Sequence, residues 1–142
     1  MNIPIIGSQF PTAVIPLIDG ATKSIKVDVF DWRWYPSDPG ASVQIFNQSF
    51  VRAVRRGVSL RVICNNGEIF KYLTELGAEC RKTLSSNLVH AKLLIIDDKF
   101  LVIGSHNYTQ HAFTMNREIS LLTDAPETFP IFDKFFETLW LL

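Results

Sequence analysis

The sequence predicts an α/β fold, a mixed β-sheet held between helix layers. Two observations carry that expectation. Apolar residues switch between strand spacing and helical spacing, segment by segment, through the first half of the chain. A chain of 142 residues, 47% of them hydrophobic, can also close one full core, and no internal repeat, low-complexity tract or linker divides it. The expected unit is one domain over residues 1–142.

Residues 10–23 place Val14, Leu17, Ile18 and Ala21 at helical spacing behind Pro11, although Pro16 and Gly20 weaken the pattern. Ile25 to Trp32 reads as a strand with Ile25, Val27 and Val29 on one face. Val43 to Arg56 is amphipathic, with Val43, Phe46, Phe50 and Val54 along one stripe and Gly57 placed as a helix C-cap. Val58 to Cys64 reads as a strand, Gly67 to Leu76 as a short helix closed by Gly77, and Ala78 to Arg81 as a short strand. Leu88 to Ile96 is expected to be a long strand buried on both faces. Phe100 to Ile103 and Glu118 to Leu122 complete the sheet, and Pro126 to Leu142 forms a closing helix that serves the core or a seam between copies.

Charge excludes one class of behaviour. Lys plus Arg and Asp plus Glu balance at 14 each and the pI is near 6.8, so no global basic field draws in a polyanion, which must be met locally. Cys64 and Cys80 fit no CxxC motif and are expected to be reduced and buried. The N-terminal residues lack a basic segment ahead of an apolar core, and no apolar run approaches the roughly 18 residues of a membrane span. A cytoplasmic protein is expected, which also argues against use of the Asn107-Tyr108-Thr109 sequon.

The chemistry lies in Val89-His90-Ala91-Lys92-Leu93-Leu94-Ile95-Ile96-Asp97. An imidazole and an ammonium two residues apart on a strand share a face. Burying them without partners costs several kcal/mol as a rough estimate, so polar groups must converge there. If the hairpin is centred between Asp98 and Lys99, Asn107 lies across from His90 and Ser105 across from Lys92. Gly104 then admits close approach of a ligand, while Ser105 and Asn107 offer uncharged donors suited to a phosphate.

His90-x-Lys92, four residues to Asp97, then six to Gly104-Ser105-x-Asn107 resembles the HKD signature of the phospholipase D superfamily. Glu118 stands where that family keeps an acidic residue, and the order of elements before the motif is also similar. The resemblance implies that His90 attacks phosphorus and forms a phosphohistidine, that Lys92 and Asn107 hold the non-bridging oxygens, and that Ser105 assists from the edge. It further implies that Glu118 orients and charge-balances a histidine. Asp97 points to the other strand face by parity and is assigned to the hairpin. Full-length members carry two such motifs and this chain has one, so a second copy is expected to supply the histidine that protonates the leaving oxygen. That pattern resembles the short, single-motif bacterial endonucleases of the superfamily, which work as symmetric dimers.

The other candidate residues have plainer roles. His106 fills the variable slot of the signature and His111 has no paired partner, so both are assigned to surface or supporting positions. No HExxH, CxxC or carboxylate cluster argues for a metal, and no cofactor is expected. The aromatic stretch Asp31 to Gly40 stacks bases, meets a membrane interface or packs, with packing the commoner outcome. Arg52, Arg55 and Arg56 track phosphates or form a solvated helix end. The expected function is metal-independent cleavage of DNA or RNA by a homodimer. The alternatives are a phospholipid hydrolase or phosphatidyltransferase, and a non-catalytic nucleic-acid-binding dimer.

Overall fold

In the computed structural model, which describes residues 1–142, the chain runs β1 (Asn2–Ile6), a 3-10 turn (Gly7–Gln9), α1 (Phe10–Asp19), β2 (Ser24–Trp32), α2 (Ser42–Arg55) and β3 (Ser59–Gly67). It continues through α3 (Phe70–Glu75), β4 (Glu79–Arg81), β5 (Leu93–Ile96), β6 (Phe100–Gly104), α4 (Gln110–Thr114), β7 (Ile119–Thr123) and α5 (Phe129–Trp140). The seven strands form one mixed sheet in the order β1-β7-β6-β5-β2-β3-β4. Strands β2, β3 and β4 are parallel, and the pairs from β2 across β5 and β6 to β7 and β1 are antiparallel.

Alternation along the strands builds two cores. Ile25, Val27, Val29 and Trp32 of β2 face the larger one, where Phe10, Phe46, Phe50, Tyr108 and Phe113 converge from α1, α2 and the segment around α4. On the other face Ile63, Leu93, Ile95 and Leu101 pack against Phe136 and Trp140 of α5. The mixed sheet between helix layers is therefore as expected, and the structural reason is the period-two pattern of β2 and β3.

Three local expectations need correction. β1 pairs with β7 from Asn2↔Thr123 to Ile6↔Ile119, a partnership that no local pattern reveals; Pro4 fits because β1 is an edge strand. β5 spans only Leu93–Ile96, all four residues buried, and not the long strand expected from Leu88. The cause lies on β2, whose edge beyond Asp28 is occupied by the chain after β6. Tyr108 N–H donates to Asp31 O, Arg33 N–H donates to Tyr108 O, and Trp32 bridges Tyr108 in parallel. Residues 88–92 are thereby excluded from the sheet. Finally, the turn after β5 is one residue shorter in register than expected, with Leu93↔Ile103 and Ile96↔Phe100 opposed. Asp97 and Asp98 both take positive φ, 54° and 53°, which side chains with short polar groups tolerate best.

Candidate active site

The site forms where the β5 ladder stops. His90 has left the sheet and is exposed, with its ring leaning on Phe30 of β2 at a centroid distance of 5.1 Å. The Lys92 ammonium lies 3.0 Å from His90 Nδ1 and 3.2 Å from Nε2, and donates to the His90 carbonyl oxygen at 2.8 Å. A ring nitrogen that accepts from an ammonium keeps its lone pair, the form a nucleophile needs. Burial lowers the pKa of Lys92, and the carboxylates of Glu118 and Asp28 oppose that fall.

Ser105 and Glu118 form a second group. Ser105 Oγ donates to Glu118 Oε1 at 2.6 Å and accepts from Ile119 N–H at 3.0 Å, while Asn116 donates to Glu118 Oε2. Gly104 makes this clamp possible. A Cβ there would stand 2.3 Å from Ser120 Oγ and 2.4 Å from Ile119 O, so only glycine lets β6 run this close to β7 before the chain turns. Asn107 is the third element, its Oδ1 accepting from Asp31 N–H at 3.1 Å. That bond orients the amide and leaves its NH₂ as a donor.

The expected face-to-face opposition of His90 with Asn107 and Lys92 with Ser105 is not what brings these residues together. The observed register sets Lys92 against Gly104, whose N–H donates to Lys92 O at 3.3 Å. The five predicted residues instead ring the ends of β2, β5 and β6: His90 touches Lys92, Ser105 touches Glu118, and Asn107 is held by the backbone next to Phe30. Within one chain Glu118 makes no hydrogen bond to a histidine, although its charge favours protonation of His106. Asp97 stays outside the site, its carboxylate accepting from the backbone N–H groups of Thr22, Lys23 and Ser24. Those bonds hold its pKa below the ordinary range against the opposing effect of burial, which is the largest single influence.

Of the two positions expected for His106, surface or supporting, it takes the supporting one. It is 1% exposed, hydrogen-bonded to Ser120 Oγ and to Gly7 O at 2.7 and 2.9 Å, and stacked on Phe10. Desolvation lowers its pKa. His111 is exposed on α4. Of the arginines, Arg52 pairs with Asp19 and Arg56 caps the carbonyls of Ile18 and Ala21, so neither is held ready for phosphate. The aromatic stretch packs: Trp32 is buried and donates to Asn47, and Trp34 stacks on Tyr72. Cys64 is buried, but Cys80 is only partly so.

Two neighbours of the site escaped the sequence reading. Phe30 underlies the His90 and Lys92 side chains, with Lys92 Nζ 5.9 Å from its ring centre. Asp28 lies two residues earlier on the same strand face and is 1% exposed. The signal was a carboxylate flanked by Val27 and Val29 in the middle of a strand. Beside Lys92 an apolar cleft of about 330 Å³ is lined by Ala91, Leu93, Ile103, Ile131, Phe132 and Phe135.

Residues 14–140 match the family described as cardiolipin synthase, PLD-like domain. A mitochondrial cardiolipin hydrolase of Xenopus laevis is 30% identical over 97% of this chain, and a mouse 5'-3' exonuclease is 23% identical over 92% of it. The chain spans 64% and 29% of the lengths of those relatives. Among solved structures, NucT from Helicobacter pylori superposes with a TM-score of 0.82 at 20% identity, covering 99% of this chain and 95% of its own. No helix is long and apolar enough to cross a membrane.

Proposed function

This chain belongs to the phospholipase D-like family, and from that premise we propose that it is a metal-independent phosphodiesterase that cleaves nucleic acid through His90 in a site shared by two copies. The observation that carries the reading is the solvent-exposed His90 ring with the Lys92 ammonium beside its nitrogens. A polymer's phosphate reaches an exposed nucleophile without threading into a pocket. Lys92, drawn off the ring by the incoming phosphate, neutralises the non-bridging oxygens while the Asn107 amide donates a hydrogen bond to them, and the freed nitrogen attacks phosphorus, forming the P–N bond of a phosphohistidine as the P–O bond to the leaving oxygen breaks. Of the two carboxylates near Lys92, Glu118 is already engaged by Ser105 and Asn116 and Asp28 is buried in the sheet, so charge neutralisation falls to the ammonium and not to a metal ion.

In-line displacement also requires an acid for the leaving oxygen, and no other imidazole of this chain contacts His90. A second copy of His90 fills that role. A bare apolar sheet surface supports this. Ile119 and Leu121 of β7, 60% and 36% exposed, continue the row of Ile103 and Pro4, and Ile131 and Phe135 of α5 flank it. The surface adjoins Gly104, Ser105 and Glu118, so covering it brings two sites together.

A second reading, a phospholipid hydrolase, is favoured by the apolar cleft beside Lys92 and by the name of the Xenopus relative. Purified protein offered single- and double-stranded DNA, RNA, cardiolipin vesicles and bis(p-nitrophenyl) phosphate, all in EDTA, decides between them. Nucleic acid and the aryl ester are expected to be cut. Activity abolished by EDTA and restored by magnesium would overturn the metal-independent mechanism, and cleavage of cardiolipin alone would replace the nuclease reading.

A further inference from the structure

Asp28 is an unusual residue for the middle of a sheet. Its register partners are Ile63 of β3 and Leu93 of β5, both members of the apolar cluster that packs on α5. It is 1% exposed, and neither carboxylate oxygen has a hydrogen-bond partner. An unsolvated, unpartnered carboxylate is among the costliest groups a fold can carry, so a position that keeps one calls for a function.

The surrounding charges narrow what that function is. On its own strand, Lys26 is committed to Asp133 and Glu137 of α5, and Asp31 to Arg33. On β3, Arg61 is held by Glu137, while burial keeps the Cys64 thiol neutral by pushing it up to about 12. Burial likewise raises Tyr108. What remains is the site itself: Lys92, adjacent in sequence to the residue opposite Asp28, with His90 beside it and the Glu118 and Asp28 carboxylates both favouring its charge. Lys92 makes no ion pair of its own.

We propose, resting on the phosphodiesterase reading above, that Asp28 is the internal counter-ion of Lys92, and that a phosphodiester bound at Lys92 displaces it from that role, Asp28 taking up one proton from solvent as the phosphate binds. The balance is simple: a carboxylate and a solvent proton become a carboxylic acid, while the phosphate monoanion takes over the ammonium. Asp28 touches no substrate and is a positioning residue that acts through Lys92. It also offsets the charge of Lys92 while the site is empty. Consistent with this, desolvation pushes the Asp28 carboxyl up to about 7, against the opposing pull of Lys92, so the proton is available near neutral pH.

The test is the pH dependence of binding of dimethyl phosphate, a phosphodiester too inert to turn over, to wild type and to Asp28→Asn. Asparagine mimics the protonated acid, so the two proteins are expected to bind equally near pH 5.5, and the variant about fivefold to tenfold more tightly near pH 8.5. Contributions from His90 and Glu118 are common to both proteins and cancel in the ratio. Superimposable profiles, or a variant weaker at pH 8.5, would overturn the proposal; the latter is what a purely structural role for Asp28 gives. If Asp28→Asn does not fold, carbon-13 titration of the Asp28 carboxyl in wild type replaces it: dimethyl phosphate must raise the midpoint, and an unmoved midpoint overturns the proposal. No turnover is needed, so hydrolysis by His90→Ala equal to wild type would sink the functional reading separately. Absence of dimethyl phosphate binding at every pH would sink both.

Discussion

At the scale of single residues, the three histidines have three different environments and should answer mutation differently. His90→Ala should lose essentially all hydrolysis of an aryl phosphodiester. His111→Ala, altering an exposed position on α4, should stay within about tenfold, or roughly 1.4 kcal/mol in barrier. His106→Ala should show its effect in the melting temperature, because it removes a buried ring that bonds Ser120 and Gly7. A second residue-scale expectation concerns Asp28. Its carboxyl sits near 7 in the fold against 3.8 when unfolded, so the folded chain holds a proton that the unfolded chain releases. The stability carried by the protonated acid is complete below about pH 4 and is lost as pH rises to about 7, on the order of several kcal/mol. Urea unfolding of wild type should therefore weaken over that window relative to Asp28→Asn; parallel curves would refute the buried carboxylate. Asp97 and Glu137, with lowered pKa values, work in the opposite direction but equally in both proteins. The identities of His90, Lys92, Ser105, Asn107 and Glu118 were legible as candidates because spacing is a property of sequence. Their geometry was not, since a turn that absorbs one residue more or less moves every opposition across it, and only the paired positive-φ aspartates fix that count.

At the scale of elements, the strands with strong internal alternation were legible. β2 and β3 bury their patterned faces on α1, α2 and α5, and Gly57, with φ of 94°, ends α2 as expected. β1 and the short α4 were not legible, because their reason for existing lies elsewhere in the chain. β1 is held by β7, and α4 starts where Thr109 Oγ accepts from Ala112 N–H after Tyr108 has docked on β2. The truncation of β5 has the same origin: competition for the β2 edge is settled between segments distant in sequence. The bare face of β7 yields the element-scale prediction. Ile119→Glu places a carboxylate on the 60% exposed apolar surface without touching either core. It should shift sedimentation from dimer to monomer and reduce activity with it. A variant that stays dimeric and fully active would move the interface to another face.

At the scale of the whole molecule, the proposed mechanism assigns one chain half of a catalytic set. Unfolding wild-type protein with excess His90→Ala and refolding the mixture should suppress activity beyond dilution, because each mixed pair lacks one imidazole. Activity that follows the wild-type fraction linearly would mean each chain works alone. The sheet order β1-β7-β6-β5-β2-β3-β4 bears on something else, the making of the protein. Of the seven strands in this sheet, β1 leaves the ribosome first and its only partner, β7, last. At a translation speed of about 5–20 residues per second, the apolar Ile3, Ile5 and Ile6 wait on the order of ten seconds for Leu122, Ser120 and Ile119. The Ser105–Glu118 clamp depends on the same late strand. A nascent chain thus carries His90 before it carries Glu118, and the candidate site is finished only once β7 has been made.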